Sequence, residues 1–370
     1  MPLLGRGRPA SPGKRRAAGM PSPQVRVDSP SGVLAVVPHL MGYRPTKSIV
    51  VIGLIPPRAR IKIGFRYDLP DPPDAVAAEE IARHAMAILA RQRIRMAIGI
   101  GYGPGHLVTP VADALRVAAG DARVALREVM RVEEGRYWSY LCKDPACCPA
   151  EGVPFDPVAH PAAAALATAG LAAFPDRESL ARTLAPLTGA ATESMRCATE
   201  RAIGRLASLL AKQQKAADGS GLLRLVADEG LRAVGEAIRL YRDGGQLADD
   251  DQIAWLSVTL ADLRVRDDAW ARMDPDYREA HRRLWTDVVR RACTPYVPAP
   301  AALLAFTAWQ AGEGTLANIA IERALEADPD YSMALLISDL LDAGVPPSEA
   351  RLPMTPEEVA ESYAQAEQRT

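Results

Sequence analysis

A chain of 370 residues exceeds one ordinary domain and suits two. With 48% hydrophobic and 24% charged residues, it has the balance of a globular chain that buries a core. Lys+Arg 44 against Asp+Glu 45 leaves a net charge of −1, which excludes a generally basic nucleic-acid coat and a strongly acidic mimic, and no apolar run approaches the ~18 residues of a membrane span.

Residues 1–24 carry Arg6, Arg8, Lys14, Arg15 and Arg16 without an acid, among Pro2, Pro9, Pro12, Pro21 and Pro23. Proline removes backbone donors, so this stretch is expected as a disordered basic tail. It reads as a solvated tail or as a weak contact to nucleic acid, and Met20 offers an alternative start. No apolar run follows the charges, so it lacks the pattern of a secretory signal. Five cysteines without an export signal point to free thiols in a reducing cytoplasm.

From 25 to 148 strands and helices alternate, which predicts an α/β domain: a mixed sheet with flanking helices. Residues 25–28 are β-like. Ser29 and Pro30 open a helix over 33–40, weakened by Pro38 and stopped by Gly42. The apolar run 48–55 suits a strand buried on both faces. Residues 60–67 alternate Ile61, Ile63, Phe65 and Tyr67 with Lys62, Gly64 and Arg66, the period of a strand with one wet face. An amphipathic helix over 75–93 and a strand over 95–100 follow. A helix begins at Thr109-Pro110, and 124–132 and 136–140 form a hairpin around Glu133, Glu134 and Gly135.

A Cys/Pro-rich linker is expected over 149–161, then an all-helical domain over 162–347 and a polar tail over 348–370. The helical stretches are 162–171, 177–187, 192–214, 222–242, 249–263, 277–292, 299–311, 315–327 and 331–343. Leu304, Ala305, Ala317, Ile321 and Ala324 fall where a tetratricopeptide-like helix pair needs small and apolar contacts. Such a pair serves either as a protein-binding groove or as a structural hairpin. Trp255, Trp270, Trp285 and Trp309 are read as core, and Asp249-Asp250-Asp251 as a helix cap or a cation site.

Two clusters bear on chemistry. Gly99, Gly101, Gly103 and Gly105 alternate between a strand and a helix start, with His106 and Thr109 beside them. Backbone N–H groups and a helix dipole would converge there on an anion or nucleotide. The spacing is neither G-x-G-x-x-G nor a P-loop, so strand packing without a ligand is the other reading. The second cluster is Cys142, Cys147 and Cys148. Thiolates ligate metals, with His160 or Asp144 as further donors, but the spacing C-x4-C-C is unusual and adjacent cysteines seldom share an ion. A redox-labile bridge from Cys142 to Cys147 or Cys148, or a turn with buried thiols, are the alternatives. Trp138 and Tyr140 share one strand face, as a stacking platform or as a seam between layers.

Residues 33–54 (VLAVVPHLMGYRPTKSIVVIGL), 137–152 (YWSYLCKDPACCPAEG) and 303–341, with GEGTLANIAIERALEADPDYSMALLISDLL, resemble the actinobacterial family called domain of unknown function 4192. The resemblance spans about 25–347, and YWSYLC…CCP is its most specific part. His39 stands where an aromatic is expected. The resemblance implies a cytoplasmic protein of unassigned activity and carries over no catalytic residues, cofactor or metal. The residues themselves contain no complete catalytic constellation. The expectation is therefore an interaction or ligand-binding protein, with a protein partner at the C-terminal helices. The alternatives are an enzyme or sensor for a phosphorylated small molecule at Gly99–Thr109, and a thiol-based redox or metal site.

Overall fold

The computed structural model describes residues 29–57, 59–171, 173–214, 220–347, 349 and 355–367; the basic tail and the β-like residues 25–28 lie outside them. Helix α1 (Pro30–Met41) starts at Ser29, whose Oγ accepts the Gly32 N–H at 3.1 Å, and ends at Gly42 in the left-handed region, as the capping residues predict. Strand β1 (Ser48–Ile55) is buried along nearly its whole length. Strand β2 (Arg60–Asp68) lies antiparallel to it. Helix α2 (Ala75–Arg91) is capped by Asp74, which accepts the Val76 and Ala77 N–H groups. Strand β3 (Met96–Tyr102), helix α3 (Gly105–Asp121) and strand β4 (Ala125–Glu133) form a crossover unit in which β3 and β4 are parallel.

Strand β5 (Arg136–Ser139) returns antiparallel through Glu134 and Gly135, both at positive φ, which is the two-residue turn whose twist matches a hairpin. A short strand β6 (Val153–Pro154) pairs with β5 and completes a mixed sheet of order β2-β1-β3-β4-β5-β6. The segment 149–161, expected as a linker, thus contributes a strand. Two residues are too few to show a period.

The sheet has a core on each side. Ile49, Val51 and Ala97 pack against Ala82, Ala85 and Leu89 of α2 and Val108, Val111 and Leu115 of α3. Val50, Ile52, Leu54, Ile98, Ile100 and Met130 face Leu34, Val37 and Met41 of α1. That second core runs without interruption through Leu180 and Leu184 into the helical region.

The helical region comprises α4 (Pro161–Thr168), α5 (Arg177–Arg182), α6 (Ala190–Gln214), α7 (Ser220–Arg242), α8 (Asp250–Thr259), α9 (Leu263–Ala271), α10 (Arg278–Arg291), α11 (Pro298–Gln310), α12 (Gly314–Ala327), α13 (Ser332–Asp342) and α14 (Pro356–Glu367). The helix expected over 249–263 is instead two. Asp262 turns the chain and caps α9, its Oδ1 accepting the Arg264 N–H at 2.8 Å. Helix α3 begins four residues before the expected Thr109, because the Pro104 carbonyl already accepts from Leu107 and Val108. Helix α11 is buried on all sides from Pro298 to Trp309 and packs on α12, with Leu304, Ala305, Ala317, Ile321 and Ala324 all interior. Trp255, Trp285 and Trp309 are buried, and Trp270 lies edge-on to Phe306. Among the described residues, no helix is long and apolar enough to cross a membrane.

His281 of α10 is buried, and its Nε2 accepts the Asp274 N–H at 3.4 Å. Burial, reinforced by the Arg242 charge, pushes its pKa from 6.5 down to about 4. Unfolding returns it to the ordinary range. The neutral ring therefore contributes its full stability above pH ~6.5 and loses it as pH falls toward the folded value. The free energy of unfolding should fall by up to about 3 kcal/mol from this group between pH 6.5 and 4, read as a falling melting temperature, and His281→Gln should flatten that part of the profile. An unchanged profile in the variant would show that other groups set the acid limit.

Candidate functional site

The glycine-rich junction is filled by the protein's own side chains. Gly101 is needed because a Cβ there would collide with Cγ1 of Val108, so its absence lets α3 lie close on β3. Gly99 has room for ordinary contacts with Leu115 and Val129. Gly103 has φ +141° and donates its N–H to the Val132 carbonyl at 2.9 Å. Gly105 makes way for Arg131, whose guanidinium would collide with a Cβ there. Arg131 stacks on the Trp138 ring, 3.8 Å from its centroid, and pairs with Glu133 at 3.3 Å. Thr109 shares a hydrogen bond of 2.8 Å with the Tyr140 hydroxyl, and His106 is exposed.

Trp138 and Tyr140 do lie on one face, against the start of α3. The space above that helix end holds a cation already balanced by a carboxylate. The Trp138 Nε1–H donates to the Ala150 carbonyl at 2.9 Å, and a Cβ on Gly152 would meet its ring. The indole is thereby a seam that docks the loop after β5 onto the sheet.

That loop carries the thiols, and polar contacts set its course. Ser139 Oγ donates to Glu128 Oε1 at 2.7 Å and accepts the N–H groups of Leu141 (3.1 Å) and Cys142 (2.9 Å). Asp144 then closes a turn. Its main-chain oxygen accepts from Cys147 (3.1 Å) and Cys148 (2.8 Å), and its Oδ1 accepts from Ala146 at 2.9 Å. The three Sγ atoms lie within 4.8 Å of one another, with Cys147 exposed and Cys142 and Cys148 half-buried. The turn thus brings together even the adjacent cysteines.

Neither further donor weighed from the sequence joins them. His160 Nδ1 caps α4 by accepting the Ala162 N–H at 3.2 Å, and the Asp144 carboxylate is held in its turn. Among the described residues, no other three His, Cys, Asp or Glu donors come this close. Asp249-Asp250-Asp251 is used elsewhere: Asp249 caps α8, Asp250 holds Ser194 and Arg291, and Asp251 holds Arg201.

The thiols are not equivalent. The Asp144 N–H, followed by the Cys148 S–H, favours negative charge on Cys142 and lowers its pKa. Desolvation, then hydrogen bonds to Cys142 and Cys147, pushes Cys148 up to about 12. Tyr137 stands beside Cys147, Cys148 and Glu128, and burial raises its hydroxyl pKa. In a tetrahedral zinc–thiolate site the Zn–S distance of ~2.3 Å places sulfurs about 3.8 Å apart. The observed cluster therefore needs only a small contraction to close on an ion.

A model of the family described as a domain of unknown function, DUF4192, matches residues 30–348. The chain belongs to this family. No curated protein and no solved structure matches it. The DUF4192 match takes in the sheet, the thiol loop and the helical region as far as α13.

Two substitutions separate the roles of this region in thermal or denaturant unfolding. Gly101→Ala should cost about 1–3 kcal/mol by overpacking α3 against β3. Ser139→Ala should cost about 1–3 kcal/mol, because the Leu141 and Cys142 N–H groups lose their acceptor and Glu128 Oε1 keeps only the Val129 N–H. Wild-type stability in either variant would contradict the contacts described.

Proposed function

We propose that this DUF4192 protein binds a thiophilic metal ion through Cys142, Cys147 and Cys148. One observation carries the reading: three sulfurs converge within 4.8 Å on a loop whose backbone is already fixed by Ser139 and Asp144. Deprotonated sulfur is a soft ligand that suits Zn²⁺ or Cu⁺ far better than Mg²⁺ or Ca²⁺. The Asp144 N–H directed at Cys142 provides the outer-sphere support that metal-bound thiolates use. All five cysteines are free, which supports a reducing, cytoplasmic setting, and the excess of Arg over Lys supports a high-GC, actinobacterial origin.

The test is a zinc titration of reduced full-length protein in competition with a chromogenic chelator. Uptake of about one ion per chain is expected, and replacing zinc by cobalt should give thiolate-to-cobalt charge-transfer bands. Each of Cys142→Ser, Cys147→Ser and Cys148→Ser should weaken binding by more than ~100-fold. Equal binding by a variant lacking all three thiols would remove the reading.

A second reading is a protein-docking role for the C-terminal helices. It is supported by Leu335 and Leu336, neighbouring apolar residues that stand 41% and 47% exposed on α13. Of the tetratricopeptide-like pair, α11 is buried throughout, which leaves α12 and the α13 that follows the pair for this role. Pull-down with wild type and with Leu335→Ser/Leu336→Ser tests it. A partner held by both proteins, or by neither, would end it.

A further inference from the structure

Three further features of the thiol cluster bear on its chemistry. All three cysteine residues are at least partly exposed, on a loop at the surface that a small solute can approach. The three sulfurs lie within 4.8 Å of one another, and Cys142 and Cys148 are both half-buried whereas Cys147 is exposed. Cys147 and Cys148 are adjacent in the chain, and a bridge between neighbours must close a small ring across a peptide bond, far from unstrained disulfide geometry. That leaves Cys142 to bond with one of the two, and Cys148 shares its half-buried setting.

We propose that the site is a hydroperoxide-responsive switch, in which oxidation joins Cys142 to Cys148 and releases the bound ion. This rests on metal binding by the three thiols. The Cys142 sulfur attacks the terminal oxygen of a hydroperoxide; the S–O bond forms, the O–O bond breaks, and the alkoxide leaves as an alcohol with a proton from solvent. Cys142, oxidised by two electrons, is now a sulfenic acid. The Cys148 sulfur then attacks the Cys142 sulfur; the S–S bond forms, the S–O bond breaks, and hydroxide leaves as water with a second solvent proton. Two thiolates, one hydroperoxide and two protons thus give one disulfide, one alcohol and one water. With two of three ligands consumed, Cys147 alone cannot retain the ion. The loop tolerates the closure because its ends are tied to the sheet by Ser139 and by Trp138, outside the ring that the bridge creates.

The experiment uses full-length reduced protein loaded with zinc, treated with equimolar hydrogen peroxide in the presence of a chromogenic chelator, then alkylated and mapped by mass spectrometry. The expected result is about one zinc released for each Cys142–Cys148 bridge. In metal-free protein, Cys148→Ser should leave Cys142 as a sulfenic acid trapped by dimedone, whereas Cys147→Ser should still form the bridge. The mapping is made on wild type, so it stands even where a variant folds poorly. Zinc that stays bound with all three thiols reduced overturns the switch and leaves the metal reading intact. A bridge that instead uses Cys147, Cys197 or Cys293 overturns it equally. Failure of the reduced protein to take up zinc at the outset is a different result, and it removes the metal reading.

Discussion

Alternate residues of a strand point to opposite faces, so a strand apolar at every position must be covered twice. β1 is such a strand. Ile49 and Val51 require the α2–α3 layer, and Val50, Ile52 and Leu54 require α1 and what lies beyond it. Each of these side chains contributes roughly 1.5–3 kcal/mol when removed from water. The second layer is incomplete without the helical region, and that is why the core on this side continues through Leu180 and Leu184 toward Trp285 and α11. The two halves of the chain share one hydrophobic interior.

Distance from that interior is what gives the thiol loop its chemistry. Near the far edge of the sheet, β5 and β6 are short and the burial of their residues is partial. Apolar packing cannot fix a loop there, so hydrogen bonds do. The Ser139 hydroxyl reads strand β4 through Glu128 and passes that position to Cys142. Trp138 does the same on the opposite face, using Arg131 and the Ala150 carbonyl. The result is a rigid support under solvent-accessible sulfur, a combination that a buried cysteine in a core does not offer.

What was legible from the residues follows from which forces are local. The continuous run of β1, the period-two pattern of β2 and the Glu134-Gly135 turn each report a short-range preference, and each appears where the sequence places it. The alternating glycines resemble a ligand loop because a gap left for a ligand and a gap left for a neighbouring side chain look the same in one dimension. Val108 and Arg131 fill those gaps, and only the fold brings them there. Arg131 and Glu128 carried no signal of their own, since strand register alone sets Arg131 opposite Trp138. The three cysteines were conspicuous, but their convergence depends on one carbonyl, that of Asp144, accepting from two successive N–H groups. The break between α8 and α9 was hidden because Asp262 interrupts an apolar pattern that otherwise continues.

The sheet ends differently at its two margins. At one, the chain doubles back as a short strand and leaves no long row of unpaired backbone. At the other, β2 presents exposed Arg60 and Lys62, with Ile61 exposed between them and Arg66 half-buried and paired with Asp68. A second copy laying its β2 there in parallel register would set Arg60 and Lys62 against their own kind, which is unfavourable. Charged side chains along an open border are a general means by which an exposed edge is kept from templating another strand.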